Sequence, residues 1–299
     1  MANPKKKMTV NQRHNLTGWI FLAPAALLIV AMSFVPMFKA FILSFKTGVG
    51  INMDFAEPLF KNYARMFQDT VFIQSLKNTF FYLILQVPIM LILALILASI
   101  LNNKDLEFKG VFRTMIFLPC ATSLVAYAII FRTLFANNGL VNTMLVNFKI
   151  LDEPFPFLTT AWTAKLIIVL ALLWRWTGYN MVFYLAGLQN IEYSVYEAAK
   201  IDGASPVQTF FKITVPLLKP TILLTAIMST NGTLQLFDES VNLTSGGPAN
   251  ASITMSHYIY DVSFKYMPNF GYAAAMSFLI LILVAILAFV QLKVGDKRD

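Results

Sequence analysis

The sequence predicts an all-α, polytopic membrane protein with six transmembrane helices, on three observations. Hydrophobic residues fill 58% of the 299 positions and charged residues only 13%, with a mean hydropathy of +0.66, far above the roughly 45–50% apolar content of a soluble domain. Six apolar runs approach the ~20 residues needed to cross a bilayer core. Within those runs only Lys39 and Arg175 carry charge.

In order, the runs are Leu16–Phe45, Phe80–Ile100, Thr114–Phe131, Leu166–Leu188, Pro220–Leu236 and Tyr272–Leu292. They divide the chain into a tail over 1–15, a transmembrane domain over 16–292 with a polar loop at 190–219, and a second tail over 293–299. The first run follows Lys5, Lys6, Lys7 and Arg13 and so has the charge pattern of a secretory signal. Its length, Pro24 and Pro36, and the lack of a small-residue cleavage site favour an uncleaved helix. The third holds Cys120, the one cysteine, which excludes a disulfide framework and a thiolate metal cluster. The two histidines, His14 and His257, are too far apart in sequence to suggest a metal site.

Six spans place both termini on one side, and the charges indicate which. Thirteen Lys and Arg residues fall in the tails and in the 102–113 and 190–219 loops, against eight in the loops of the opposite face. Basic residues favour the cytoplasmic side, so both tails and the 190–219 loop are expected there. The same scatter argues against nucleic acid as a partner despite the net charge of +8, because no single basic patch forms.

The 190–219 loop carries much local design. Ile191–Ile201 is helix-compatible, and Asp202-Gly203 offers the left-handed stop that helix ends favour. Ser205 suits an N-cap, Pro206 the first helical position, and Gln208 completes a capping-box spacing ahead of Phe210, Phe211 and Ile213. Ala198 and Ala199 beside Tyr196 and Glu197 form a small-residue face against which another surface could dock. On local chemistry alone the stretch reads equally as a well-capped connecting loop.

Motif absences bear on the function class. No GxxxxGK[ST] loop occurs, so the chain has no P-loop cradle for ATP phosphates. A membrane enzyme would show HExxH, GxSxG or an intramembrane carboxylate pair, and none is present. An ion-coupled carrier would show intramembrane acids or an inverted repeat, again without a match. A purely structural bundle remains open, although span five carries Ser229, Thr230, Asn231, Thr233 and Gln235, too many hydrogen-bonding groups to face lipid.

The spacing Glu197-Ala198-Ala199, Asp202-Gly203-Ala204, Phe210, Ile213, Pro216 resembles the EAA signature of permease subunits of binding-protein-dependent ABC importers. NYARMFQDTVF with Asn78-Thr79, FRTMIFLP at 112–119, LWRWTGYNMVFYLAGLQNI at 173–191, LTSGGPANASIT at 243–254 and GYAAAMSF at 271–278 are similar to the carbohydrate-uptake branch, on the side of the maltose-permease-like first subunit. The resemblance implies the type I importer permease fold and a bacterial or archaeal cell membrane as its place. It implies, as partners, a second homologous permease, two ATPase subunits that hold ATP and magnesium, an extracellular solute-binding protein, and a sugar cargo. No cofactor and no catalysis are expected on this chain.

The resemblance also assigns roles. Tyr196, Glu197, Ala198, Ala199, Asp202, Gly203, Ala204 and Ser205 fall in the coupling helix that fits a cleft on the ATPase. Sugars present hydroxyl edges and C–H faces, so their path needs amide and hydroxyl partners beside aromatic platforms. Trp176, Tyr179 and Asn180 of span four, with Trp174 beside them, and Ser229, Asn231, Thr233 and Gln235 of span five are the candidates. Arg175 is expected to pair with Asp238 or Glu239 or to line the cavity, since an unpaired guanidinium within a bilayer is costly. Gly246-Gly247-Pro248 reads as an external turn, placed by the resemblance near the surface that receives the solute-binding protein. The expected cargo is a di- or oligosaccharide, with a sugar phosphate such as glycerol 3-phosphate as the alternative.

Overall fold

A computed structural model describes residues 10–50, 52–103 and 105–295. Lys5, Lys6, Lys7, Lys297 and Arg298, part of the basic tails, lie outside the described residues. Four helical stretches are long and apolar enough to cross a membrane: Asn15–Ser44, Thr70–Leu101, Ala161–Gln189 and Phe270–Gly295. Two bent pairs, Lys109–Ala121 with Leu124–Leu134 and Pro206–Leu217 with Lys219–Leu234, bring the number to six if each pair is one span.

The first stretch comprises α1 (Val10–Ile29) and α2 (Val35–Ser44), joined through a π-turn, and its apolar side chains are largely exposed. It feeds a short antiparallel hairpin, β1 (Lys46–Val49) and β2 (Asn52–Phe55), paired Lys46 to Phe55 and Val49 to Asn52. The all-α reading misses this hairpin, because two four-residue strands of mixed polarity give no sustained alternation. After α3 (Lys61–Met66) comes α4 (Thr70–Leu101), ten residues longer at its start than the apolar run suggests.

Asp69 explains that earlier start. Its Oδ1 accepts the backbone amides of Val71 and Phe72 at 3.0 and 3.1 Å, capping α4. Its Oδ2 accepts the hydroxyls of Tyr258 and Tyr272 at 2.6 and 2.8 Å, tying α4 to α14 (Met255–Tyr260) and α15 (Phe270–Gly295). Burial pushes the Asp69 carboxyl up, but the hydroxyl and amide donors outweigh it and hold the group below its usual range. The folded pKa is therefore lower than the unfolded one. The resulting stabilisation is complete above about pH 4 and is lost as pH falls through the lower folded value. Asp69→Ala removes the cap, worth about 0.5–2 kcal/mol, and strips both tyrosines of their acceptor. A lowered thermal midpoint of the detergent-solubilised chain, with a smaller drop in Asp69→Asn, checks this.

The bundle centres on α4 and α8 (Ala161–Gln189), with α5 (Lys109–Ala121) and α6 (Leu124–Leu134) against one side and α12 (Lys219–Leu234) and α15 against the other. Tyr82, Tyr127, Ile168 and Leu172 form one buried cluster, and Ala94, Ala98, Met181, Tyr184 and Leu218 another. Gly178 lets α5 and α8 meet at backbone distance, since a Cβ there would overlap the Ile116 carbonyl. Two further short helices lie outside the polar loop, α7 (Leu140–Asn147) and α13 (Asp238–Asn242).

Residues 243–254 do not form a free surface turn. Gly246 adopts φ +75°, and the segment folds inward so that Ser252, Ile253 and Thr254 are buried. Asn78 of α4 donates to the Ile253 carbonyl at 2.9 Å, and Thr79 accepts the Met255 amide at 3.1 Å. These contacts give the backbone the partners it must have away from water.

Candidate functional site

Three helices enclose a cavity of about 310 Å³, within the range of small-molecule sites. From α8 come Trp176, Tyr179 and Asn180, from α12 and its C-terminal end Ser229, Gly232, Thr233 and Gln235, and from α4 Gln86 and Met90. Asp238 and Glu239 of α13 complete one end. Trp176 and Tyr179 meet edge to face with ring centroids 5.7 Å apart, giving the cavity an aromatic wall.

A polar chain stitches the three helices together along this wall. Ser229 donates to Asn180 Oδ1 at 3.4 Å, Asn180 Nδ2 approaches Met90 Sδ at 3.6 Å, Gln86 Nε2 donates to the same sulfur at 3.0 Å, and Thr233 donates to Gln86 Oε1 at 3.1 Å. Each group is satisfied internally and also borders the cavity, so a hydroxylated ligand can exchange for these contacts or for water.

Of the residues expected from sequence, Trp176, Tyr179, Asn180, Ser229, Thr233 and Gln235 line the cavity. Asn231 does not. Its Oδ1 accepts from Gln235 Nε2 across one helical turn, and it is exposed on α12. The helix ends at Leu234, so Gln235 reaches the cavity while Asn231 stays on the helical face. Trp174 also falls outside; it packs on Tyr127 and Phe131.

Arg175 corrects another expectation. Among the described residues it makes no ion pair with Asp238 or Glu239 and is not a lining residue. Its guanidinium donates to the carbonyls of Thr122 and Pro119 at 2.8 and 3.5 Å, at the 98° bend between α5 and α6. It lies 4.8 Å from the Tyr127 ring centre. Tyr127 in turn donates to Glu239 Oε1, so the Tyr127 ring links the arginine to the acidic residue. Burial raises the Glu239 carboxyl above its usual range, and the Tyr127 hydroxyl opposes that shift.

The polar loop is built as two back-to-back caps. In α9 (Tyr193–Ile201) the Ala204 amide reaches the Ala199 carbonyl at 2.9 Å and the Gly203 amide reaches Lys200 at 3.2 Å, with Gly203 at φ +75°. This is a Schellman stop. Ser205 and Gln208 then form a reciprocal capping box at the start of α10 (Pro206–Thr209), with Gln208 N to Ser205 Oγ at 3.3 Å and Ser205 N to Gln208 Oε1 at 2.9 Å. A π-turn and α11 (Val215–Leu217) lead to α12. Tyr196 is half-buried with its hydroxyl 3.4 Å from Thr214 Oγ1. Glu197, Ala198, Asp202, Gly203 and Ser205 are exposed and Ala204 is half-buried, but Ala199 is buried and cannot belong to a docking face. Ile201, Val207 and Phe211 present exposed apolar side chains on the same loop.

Residues 73–298 match the family described as binding-protein-dependent transport system inner membrane component. The chain belongs to this family. As a permease of that family it is a membrane component of an ABC importer and not a catalytic subunit. It is 48% identical over 294 residues to the lactose transport system permease protein LacF of Rhizobium radiobacter, covering 98% of each chain. With the arabinooligosaccharides transport system permease protein AraP of Halalkalibacterium halodurans it shares 32% identity, over 93% of this chain and 89% of that one. A solved bacterial ABC transporter involved in the import of the acidic polysaccharide alginate has a chain of the same fold, with a TM-score of 0.83 at 22% identity over 96% of this permease and 97% of that chain.

Three lining residues of the permease with polar side chains escape a reading by sequence alone. Gln86 is a lone amide inside the apolar run of α4, and that isolation was its signal. Asp238 and Glu239 sit just past the end of span five, where an acidic pair reads as a loop until α13 folds back on the cavity.

Proposed function

We propose that this permease forms half of the translocation path of an ATP-driven sugar importer and takes a di- or oligosaccharide. The observation that carries the reading is the cavity itself, with amides and hydroxyls of α4, α8 and α12 beside the Trp176 and Tyr179 rings. The sugars named for LacF and AraP agree with it. A sugar phosphate lacks such support, because among the described residues no Lys, Arg or His lines the cavity. A solute-binding protein delivers cargo from outside, and a second, homologous permease closes the path over the exposed α12 face at Leu224, Met228, Asn231 and Gln235. Two ATPase subunits carrying ATP and magnesium grip the 190–219 loop from the cytoplasm, the side on which both termini lie. Their closure rocks the bundle and turns the cavity from one side of the membrane to the other.

The double substitution Asn180→Leu with Ser229→Ala tests this. It removes both members of a mutual hydrogen bond and so leaves no new orphan between them, which keeps the stability cost small. Sugar uptake by the reconstituted importer should fall about tenfold or more, as loss of one or two hydrogen bonds to cargo implies, with basal ATPase activity retained. Leu223→Ala with Ile227→Ala, outside the cavity lining, is the matched control. If the control alone impairs uptake while the polar pair is neutral, the path lies elsewhere.

A further inference from the structure

The electrostatics of the cavity go further than its shape. Among the described residues its lining includes two carboxylates and no cation. Arg175, adjacent in sequence to the lining residue Trp176, is committed to the Thr122 and Pro119 carbonyls. The two acids are not equivalent. Glu239 is 3% exposed and is held by the Tyr127 hydroxyl. Asp238 is half-buried at the cavity, and among the described residues its carboxylate has no hydrogen bond or ion pair; its one polar contact is through the backbone carbonyl, which accepts Asn242 Nδ2 at 2.9 Å. An unengaged carboxylate beside amide donors and an aromatic wall is an acceptor waiting for hydroxyl groups, because hydrogen bonds to an ionised oxygen are shorter and stronger than neutral ones.

We propose that Asp238 is a substrate-contact and specificity-determining residue: its carboxylate accepts hydrogen bonds from sugar hydroxyls and repels anionic saccharides, so the cavity takes uncharged sugars and refuses uronates and sugar phosphates. This rests on the reading of the cavity as the sugar path. It separates this chain from its structural neighbour, whose cargo is described as acidic, on a shared fold. The discrimination lies in the membrane subunit and adds to any selection by the solute-binding protein, since like charges brought together in a partly desolvated site repel more strongly than in water.

The test uses the detergent-purified assembly of this permease with its partner permease and ATPases, without the solute-binding protein, so that only the membrane part selects. Saturation-transfer NMR is recorded at pH 7 with lactose, maltose and arabinotriose, and with lactobionate, maltobionate and trigalacturonate as anionic counterparts. The wild type should give signals from at least one uncharged sugar and none from the acids. Asp238→Asn should weaken the uncharged sugar by roughly tenfold, the loss expected for a hydrogen bond to a charged group, and Asp238→Lys should admit an acid. Equal signals from acids and neutral sugars in the wild type overturn the proposal. So does an unchanged profile in both Asp238 variants while Asn180→Leu with Ser229→Ala abolishes binding, and in that case the sugar path itself stands. If no uncharged sugar gives a signal sensitive to Asn180→Leu with Ser229→Ala, the sugar-path reading falls and this proposal falls with it.

Discussion

Gly178→Val is expected to remove most folded permease from the membrane. A Cβ at this position would overlap the Ile116 carbonyl oxygen and lie 2.7 Å from its carbon and 3.0 Å from Phe117 Cα, all backbone atoms that no side-chain rotation can move aside. α5 would have to retreat from α8. Overpacking of this kind costs about 1–3 kcal/mol even where neighbours can relax, and here the retreat also draws the Thr122 and Pro119 carbonyls away from Arg175. A buried guanidinium left without acceptors is among the costlier defects a membrane interior can hold. Protein abundance after a chase, and the thermal midpoint of whatever survives extraction, should both fall well below those of Gly232→Val, since no atom lies within 4 Å of a Cβ at Gly232. Similar abundance for the two variants would show that the α5–α8 approach is dispensable.

Gly203→Val is the second large effect, and it acts by another route. Nothing lies within 4 Å of a Cβ at Gly203, so the substitution meets no neighbour. The cost is in the backbone, at φ +75°, where an L-residue is disfavoured by about 1–2 kcal/mol and a β-branched one by more. Relief requires unwinding the Schellman stop, which swings α10 and its capping box away from α9. On the coupling reading, insertion stays normal while copurification with the ATPase and sugar uptake both collapse. Gly203→Asn, which tolerates the left-handed region, should retain most of each. Parental uptake by the valine variant at normal abundance would remove the coupling role from this loop.

The two caps at 199–208 were legible because every partner lies within five residues of the next, and short-range chemistry of Gly, Ser, Pro and Gln at those spacings has few alternatives. The long spans were legible for a similar reason: bilayer thickness writes itself into run length. Their ends were not. α4 begins at Thr70 because Asp69 caps it, a signal carried by one polar residue outside the apolar run. The site was half legible. Trp176, Tyr179, Asn180, Ser229 and Thr233 announced themselves as polar or aromatic residues in apolar helices, whereas Asn231 gave the same polar signal from a position that does not line the cavity. For Arg175 the expected partner was an acid just beyond the end of span five, Asp238 or Glu239. The competing partners were carbonyls at the break at Thr122, and backbone acceptors at a bend have no signature of their own beyond Pro119.

The placement of Arg175 has a consequence for how such a permease diversifies. The guanidinium fastens the α5–α6 bend from behind, through Thr122 and Pro119, and supports Tyr127 and Glu239 without itself facing the cavity. The residues that line the cavity and the arginine that fastens the bend are therefore different ones. On the sugar-path reading, point changes at Met228, Ser229, Gln235 or Asp238 would retune what is admitted while the fastening stays intact, so new diets would be reachable in single steps that do not first pass through an unstable protein.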